Sequence, residues 1–297
     1  MHRDELADTV VRVWGDRGAA WLAGLGPLLA GLAAELGLEP GPALPQTYHA
    51  VGAVTCADGT PAVLKAGVPD GHLDAEIAAL RAWDGDGAVQ LLWADPARGA
   101  LLLERACPGT ELATRPDDDA VDVVGGLLAR LHAAPVPPGV DHVAAERAAF
   151  DAHLARPAAV LPRPLVERAA ALWTQLCGSA EREVLLHGDL HQHNVLAATR
   201  EPWLAIDPHG RAGDPGYDCG QLLYNPLDAD PAELARRAPD RLERLADAVG
   251  IGWDRAVAWG FAVCVLSEVW DADGDTGWDG PGPALAVARR LAPLVAE

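Results

Sequence analysis

A β-hairpin that carries the chain's only lysine constrains the fold most strongly. Residues 47–67 read TYHAVGAVTCADGTPAVLKAG, with apolar and small residues alternating on both sides of Asp58-Gly59. Such alternation predicts half-buried strands, and Asp-Gly between two of them is a strong hairpin signal. Lys65 is therefore expected on the second strand of the hairpin.

The use of lysine gives this position further weight. Lys65 is the one lysine among 23 Lys and Arg residues. An excess of arginine, alanine, glycine and valine is typical of a GC-rich genome. In that background a lone lysine is either an accident or a site that needs a compact ammonium, which a planar guanidinium does not replace. We interpret Lys65 as functional.

The order of the remaining elements separates a strand-rich part from a helical part. Helical spacing of apolar residues predicts one or two helices within 18–38, broken at Gly26-Pro27, and another from about Asp70 to before Gly85. Two strands, AVQLLWAD and GALLLERA, complete the strand-rich part. In the rest of the chain the sequence predicts helices at 117–134, near 140–155, at 163–178 and from about 218 to the end, with a break at 271–282. It also predicts short strands at 184–186, VLAA and WLAID. This order predicts an α+β protein with a boundary near residue 106.

Composition restricts the class of protein. Half the residues are apolar and 22% are charged, which indicates a globular protein. No apolar run reaches the roughly 20 residues of a spanning helix, and the start, MHRDELADTVV, is unlike a secretory signal or transit peptide. Five scattered cysteines without a C-x-x-C pair indicate a reducing cytoplasm rather than a disulfide framework or a zinc ribbon.

The net charge of −20 restricts the partners. It disfavours nucleic acid and anionic membranes, which bind basic surfaces. It would attract a cationic small molecule by electrostatic steering. The alternative is an acidic composition that serves solubility alone, and composition does not separate the two.

Four features occur in the order that phosphoryl transfer from a nucleotide requires. In such a site a lysine binds the α- and β-phosphates and a carboxylate on a helix holds that lysine. One aspartate accepts the proton of the attacking hydroxyl, while an asparagine and a second aspartate hold Mg²⁺. The matching residues are Lys65 on a strand, Glu76 on the next helix, Asp189 and Asn194 with D-x-x-x-x-N spacing in LLHGDLHQHNVL, and Asp207 in AIDP.

The histidines of the same segment raise a zinc alternative. Zinc sites commonly use H-x-x-x-H on a helix. Here Gly188 and Asp189 interrupt any helix, and the segment has neither H-E-x-x-H nor a cysteine partner. We therefore interpret His191 and His193 as polar contacts in or near a loop. Further along, Asp214 and Asp218 are interpreted as caps of a helix that begins near Tyr217.

These segments resemble the antibiotic phosphotransferases with a protein-kinase-like fold, and among them the streptomycin 6-phosphotransferase and hydroxyurea-resistance kinase family. The resemblance spans nearly the whole chain. It is carried by GTPAVLK (59–65), LLLERA (101–106), LLHGDLHQHNVL (185–196), WLAIDPHGRAGDPGYDCGQLLYNP (203–226) and LSEVWDADG (266–274). It implies a strand-rich nucleotide-binding lobe at 1–106, a helical lobe at 107–297, and ATP and Mg²⁺ as cofactors.

The resemblance also implies a role for each matching residue. Protein kinases cover the phosphates with G-x-G-x-x-G, whereas HAVGAVT offers only Gly52, so this cradle is expected to be weaker. The implied roles are phosphate binding for Lys65 with Glu76, adenine binding by backbone groups of Glu104 and Ala106, proton acceptance for Asp189, magnesium binding for Asn194 and Asp207, and support of the loop for His187.

The segment LSEVWDADGDTGWDG (266–280) is a candidate acceptor site. Its residues either form a solvated loop with tryptophans against the core, or line a pocket for a cationic ligand through charge pairing and cation–π contact. Given the resemblance, we favour the pocket for Glu268, Trp270 and Asp271.

The function expected from these residues is ATP-dependent phosphorylation of an aminoglycoside or aminocyclitol hydroxyl, such as the 6-position of streptomycin. One alternative is a metabolic kinase of an amino sugar or sugar such as glucosamine, because a fold does not fix its substrate. Others are a catalytically silent ligand-binding protein and a metal-dependent hydrolase that uses the histidines. The silent alternative is disfavoured because all five chemical positions carry competent residues.

Overall fold

The structure, a computed structural model, describes residues 2–157, 159–274 and 280–296. Its N-terminal part comprises α1 (His2–Leu36), β1 (Glu39–Ala43), β2 (Ala50–Thr55), β3 (Pro61–Ala66), α2 (His72–Trp83), β4 (Leu91–Asp95) and β5 (Ala100–Glu104). The strands form one antiparallel sheet in the order β1-β2-β3-β5-β4. The predicted hairpin is β2–β3, with Val51 paired to Lys65.

The turn of this hairpin follows from Asp58-Gly59. Gly59 adopts a φ of 86°, which glycine reaches without a steric cost. Asp58 accepts a hydrogen bond from the backbone N–H of Thr60 at 2.9 Å. The turn therefore fixes the register that carries Lys65 to its position on β3.

Strand β5 shows why the sheet is covered on both faces. Leu101 and Leu103 belong to the main hydrophobic core, whereas Leu102 lies in the separate cluster that contains Leu32 of α1. Successive strand residues point to opposite faces, so a continuous apolar run is buried only between two layers. The main core also contains Ile77 of α2 and continues into the helical part, so hydrophobic contacts cross the predicted lobe boundary.

The C-terminal part is mostly helical, as predicted. Its helices are α3 (Asp117–Leu131), α4 (Arg147–Ala155), α5 (Arg163–Gly178), α6 (Pro231–Val249), α7 (Trp253–Asp273) and α8 (Pro283–Leu291), and its strands are β6 (Pro108–Glu111), β7 (Val184–Leu186), β8 (Val195–Ala198), β9 (Trp203–Ala205) and β10 (Arg211–Gly213). The strands form two small sheets, β6-β8-β9 and β7-β10. The sequence does not predict β6 or β10, because their residues, PGTE and RAG, lack the apolar runs that mark β7, β8 and β9.

The helix predicted from about residue 218 is wrong. Residues 215–223 form short 3₁₀ helices, and the next α-helix begins at Pro231. The 3₁₀ segment packs directly on α7: a Cβ on Gly220 would lie 2.4 Å from Val263 Cγ1. Such close packing leaves no space for ordinary helical side chains at that position.

Helix α1 differs from its prediction in three respects. It begins at His2 rather than near residue 18, it kinks at Gly15, which has a φ of 55°, and it continues through Pro27 instead of breaking there. By length and composition, Leu6–Leu36 is long and apolar enough to cross a membrane. Within the described chain, α6 and α7 meet these criteria only when the two bent helices are counted together as one span. The sequence has no unbroken apolar run of this length, because charged residues interrupt α1. The mean hydropathy of the helix is nevertheless high enough for a span.

Adjacent glycines on α3 test the packing of α3 against α6. Gly126 faces open space, so Gly126→Ala should stabilise the protein by ~0.5–1 kcal/mol through helix propensity. A Cβ on Gly125 would lie 2.9 Å from Ala248 Cβ, so Gly125→Ala should instead destabilise it by ~1–3 kcal/mol through overpacking. Urea denaturation of both variants measures the difference. Equal stabilisation by the two changes would contradict the packing described.

Candidate active site

Lys65, Glu76 and Asp207 form an ion-pair cluster between the sheet and the helical part. Lys65 Nζ lies 2.6 Å from Glu76 Oε2 and also donates to Asp207 Oδ1. Lys65 and Glu76 are 5% and 3% exposed, whereas the Asp207 side chain is about half exposed. The predicted ion pair between Lys65 and Glu76 is therefore present. The same ammonium also binds the segment that follows β9.

The pKa shifts in the cluster follow from burial and pairing. Burial alone would lower the pKa of Lys65, but the carboxylates of Glu76 and Asp207 outweigh it and raise that pKa, so the ammonium stays charged. Burial raises the pKa of Glu76 to about 7 despite Lys65. Burial opposes the effect of Lys65 on Asp207, yet the ammonium lowers the pKa of Asp207. At neutral pH the cluster therefore carries a charged lysine and an ionised Asp207.

Residues 187–194, here called the 187–194 loop, connect β7 to β8 and are held by a buried aspartate. Asp218 is fully buried and accepts hydrogen bonds from His187 N–H at 2.9 Å and Gly188 N–H at 2.8 Å. Its Oδ2 also lies 2.9 Å from His132 Nε2 of the segment after α3. The interpretation of Asp218 as a helix cap is wrong, because its oxygens bind this distant loop. Asp214 does cap the first 3₁₀ helix, through Gly216 N–H.

His187 joins the 187–194 loop to both neighbouring layers. Its Nδ1 accepts from Asp189 N–H at 3.2 Å, and its Nε2 donates to the Ile206 carbonyl at 3.0 Å. Its ring stacks on Trp83 of α2. These bonds require the neutral ring with the proton on Nε2. Burial lowers the pKa of His187 to about 4, which keeps that form at neutral pH.

Asp189 and Asn194 face each other inside the loop. Asn194 Nδ2 donates to the Asp189 backbone carbonyl at 2.9 Å and lies 3.3 Å from Asp189 Oδ2. The Asn194 carbonyl accepts from Ile206 N–H at 2.9 Å, so the β8–β9 hairpin brings Asp207 next to Asn194. Asp207 adopts a φ of 58°, a left-handed conformation that aspartate tolerates better than most residues.

Asn194 and Asp207 carry groups that suit a magnesium ion. The amide nitrogen of Asn194 is turned onto Asp189, which leaves Oδ1 without a hydrogen-bond partner among residues 2–157, 159–274 and 280–296. An amide oxygen and a carboxylate are ligands that Mg²⁺ accepts, with phosphate oxygens and waters completing the shell. The described parts of the chain contain no group of three His, Cys, Asp or Glu residues placed for a metal, so the zinc alternative has no support there.

The two expected adenine-binding positions lie at the end of β5. Glu104 N–H donates to the Gln90 carbonyl at 2.8 Å, and the Glu104 carboxylate binds Arg200. The backbone N–H of Glu104 is therefore not available to an adenine. Ala106 has no backbone hydrogen bond to any described residue, so its N–H and carbonyl are both available.

The expected position of the phosphate-covering loop is wrong. Gly52 lies inside β2, and the connection between the first two strands is residues 44–49, LPQTYH. This connection contains no glycine. Cover for a phosphate here would come from side chains rather than from a glycine-rich backbone.

Glu268 does not fit the predicted acceptor role. Its side chain is fully buried, and its two oxygens accept from Gly282 N–H at 3.1 Å and Leu285 N–H at 2.8 Å. These donors lie at the start of α8, where backbone N–H groups have no helical partner, so Glu268 stabilises that helix end. Trp270 and Asp271 are exposed.

The other acidic residues of this segment have different positions. Asp273 pairs with His153 and Arg156, both at 2.9 Å. Asp275, Trp278 and Asp279 lie outside the described residues.

Two residues that the sequence does not single out connect α7 to Asp189. Tyr224 is buried, and burial, with a smaller contribution from the Asp189 carboxylate, raises the pKa of Tyr224, while the nearby side chain of Ser267 on α7 opposes that rise. Ser267 lies one helical turn before Asp271 on α7, so the two share a face of the helix. Asp271 is thereby on the side of α7 that faces Tyr224. No sequence signal identifies this arrangement, because it depends on the crossing of two distant segments.

Comparison with known proteins places this geometry among small-molecule kinases. Residues 41–275 match the family model described as aminoglycoside/hydroxyurea antibiotic resistance kinase. The chain is 36% identical to the streptomycin 6-kinase of Streptomyces glaucescens, over 97% of this chain and 96% of that protein. It is 38% identical to the hydroxyurea phosphotransferase of Kitasatospora aureofaciens, over 97% and 84% respectively.

The fold is also similar to that of solved kinases. A choline kinase from Streptococcus pneumoniae superimposes with a TM-score of 0.67 at 14% identity, over 91% of this chain and 98% of that one. This likeness confirms the predicted α+β, protein-kinase-like fold. At such low identity it carries no information about the acceptor.

The neutral state of His187 should make the stability of the protein depend on pH. The depressed pKa means that its contribution is fully present above the ordinary value of 6.5 and is lost as pH falls towards about 4. Between pH 7 and 5 the wild type should lose about 2 kcal/mol more stability than His187→Asn, which cannot titrate. Urea denaturation at both pH values measures this. His142→Asn, at a partly exposed histidine, is the control, and an equal loss in all three proteins would contradict the assignment.

Proposed function

The chain belongs to the aminoglycoside/hydroxyurea antibiotic resistance kinase family, and we propose that it transfers the γ-phosphoryl group of ATP to a hydroxyl of streptomycin or a related aminocyclitol, with the 6-hydroxyl as the site on streptomycin. It is a small-molecule kinase, as its relatives are. The observation that carries the mechanism is the approach of Lys65, Asp207, Asn194 and Asp189 to one another between the sheet and the helical part.

The nucleotide would lie between a lobe of residues 1–106 and a lobe of residues 107–297. Lys65 would bind the α- and β-phosphates, and Glu76 would keep its ammonium in place. The carbonyl of Glu104 and the free N–H of Ala106 would bind adenine. The support for this arrangement is the buried pair of Lys65 with Glu76 and the unbonded backbone of Ala106 just after β5, the strand that pairs with β3.

Asp189 would accept the proton of the acceptor hydroxyl. As the oxygen forms its bond to the γ-phosphorus, the bond from that phosphorus to the bridging oxygen breaks and ADP leaves. General-base catalysis of this kind contributes about 10²- to 10⁴-fold in rate. The bonds from Asn194 to Asp189 orient the carboxylate, and Asp218 holds the loop that carries it.

Asn194 and Asp207 would hold Mg²⁺ through Oδ1 and the carboxylate. A bound magnesium ion neutralises phosphate charge and orients the γ-phosphoryl group. Asp207 remains ionised because Lys65 lowers its pKa, which suits a metal ligand. The free Oδ1 of Asn194 supports the same assignment.

The acceptor would bind beside α7. Asp271 and Trp270 are exposed there, and Asp271 shares a helix face with Ser267, whose side chain lies near Tyr224. A carboxylate and an indole suit a cationic acceptor, and the net charge of −20 would steer it to the protein. ATP as co-substrate and five free cysteines fit a cytoplasmic enzyme.

The test measures ADP release and product mass with Mg²⁺-ATP and a panel of acceptors: aminocyclitols including streptomycin, amino sugars including glucosamine, and hydroxyurea. Streptomycin should give a singly phosphorylated product. Asp189→Asn should lower the transfer rate by about 10²- to 10⁴-fold because the base is lost. Asp141→Asn, at a side chain that is 81% exposed, is the matched control and should keep the wild-type rate.

Each result bears on a different part of the proposal. If Asp189→Asn transfers phosphate at the wild-type rate, Asp189 is not the base. A preference for a neutral sugar would contradict the cationic acceptor and favour a metabolic kinase. Protein stripped with EDTA should recover fully with Mg²⁺ alone, and a requirement for Zn²⁺ would instead support a hydrolase.

A further inference from the structure

The proposed phosphate site contains little positive charge for its task. Lys65, the chain's only lysine, already contacts two carboxylates, Glu76 and Asp207. The connection between the first two strands, residues 44–49, contains no glycine and cannot form a glycine-rich phosphate cradle. A triphosphate therefore needs further donors from this chain, in addition to one bound metal.

His209 lies near both aspartates that the proposed reaction uses. Its Nε2 is 4.0 Å from Asp189 Oδ2, and it is close enough to Asp207 to interact with it electrostatically. Its side chain is 55% exposed, so it opens onto solvent rather than into the core. Within the described chain no hydrogen bond is made by its imidazole. A ligand group that lies between Asp189 and Asp207 would contact the His209 ring.

The backbone of His209 is fixed from two sides. His209 N–H donates to the His187 carbonyl at 2.8 Å, which ties it to the 187–194 loop. Gly188 has no room for a Cβ, which would lie 2.9 Å from His209 Cβ. On the other side, a Cβ on Gly210 would lie 2.4 Å from the Ala75 carbonyl oxygen of α2. The imidazole is thus presented from a rigid position.

Two histidines of the 187–194 loop, His191 and His193, are already engaged. His191 Nδ1 accepts from His193 N–H at 3.3 Å, and His191 Nε2 lies 3.3 Å from Asn194 Nδ2. His193 Nδ1 lies 2.7 Å from Glu111 Oε2, on the far strand β6. His209 therefore differs from both in having its ring free of protein hydrogen bonds in the part of the chain that the structure describes.

We propose that His209 donates its Nε2–H to the γ-phosphoryl group of the bound nucleotide during transfer. The inference rests on the proposed function, because it concerns the same nucleotide. The γ-phosphoryl group must lie between the acceptor hydroxyl at Asp189 and the metal at Asp207, and the ring of His209 is near both of these aspartates. The donor would stabilise the charge on the phosphoryl oxygens and would take no proton from the acceptor.

The test separates the γ-phosphate from the rest of the nucleotide. Calorimetry at one pH would compare the affinity of each protein for Mg²⁺-ADP and for the Mg²⁺ complex of an ATP analogue with a non-hydrolysable β,γ bridge. The variants are His209→Asn, whose shorter side chain loses the contact, and His209→Gln, whose amide reaches nearly as far as Nε2. His142→Asn, the same substitution at a histidine that pairs with Glu183, is the control.

His209→Asn should bind the ATP analogue about tenfold more weakly and lower kcat by about 10- to 100-fold, the loss expected for one charge-assisted hydrogen bond. Its affinity for ADP and its urea midpoint should match the wild type. His209→Gln should recover part of both losses, and His142→Asn should show neither.

The outcomes distinguish this inference from the proposed function. Unchanged analogue affinity in His209→Asn, or equal losses for ADP and analogue, would overturn the role of His209 while leaving phosphoryl transfer intact. A selective loss of analogue affinity would support it even if no acceptor in the panel is phosphorylated. Failure of the wild type to bind any magnesium nucleotide would overturn both.

Discussion

The buried ammonium of Lys65 is the interaction on which the rest of the site depends. It joins β3, α2 and the segment after β9 at one point, through Glu76 and Asp207. A buried charge is costly unless it is paired, so these three segments are stable only when they meet. The single Nζ of Lys65 pairs with both carboxylates and so holds the three segments together. Its two carboxylate partners leave the cluster acidic overall, which suits a site completed by a metal ion and a phosphate chain.

A second buried carboxylate organises the other half of the site. Asp218 binds two consecutive backbone N–H groups of the 187–194 loop and His132 after α3. The loop is thereby anchored to the helical core, although it carries the partly exposed side chains of Asp189 and Asn194. His187 connects this loop to α2 through Trp83. The two carboxylate clusters meet at that helix, so the positions of the nucleotide-binding lysine and of the proposed base are linked through packed side chains.

The sequence predicts the parts of this site that are local. The Asp-Gly turn, the strand that carries Lys65 and the spacing of Asp189 and Asn194 all depend on a few neighbouring residues. The role of Asp218 does not, because its partners precede it by 30 to 86 positions and its sequence context suggests a helix cap. The sequence predicts Glu268 as part of a pocket for a cationic ligand, yet its oxygens bind the start of α8. Contacts between distant segments decide both cases, and no spacing pattern encodes them.

The most direct test of the central claim exchanges Lys65 for arginine, the cation that the chain uses everywhere else. The ammonium contacts Glu76 and Asp207 in a closed space where a planar guanidinium cannot place one nitrogen between them. Lys65→Arg should fold but bind Mg²⁺-ADP about tenfold or more weakly, as expected when one charged hydrogen bond is lost. Arg98→Lys, at an ion pair on the outer side of the sheet, should bind it normally. Wild-type ADP affinity in Lys65→Arg would contradict the account.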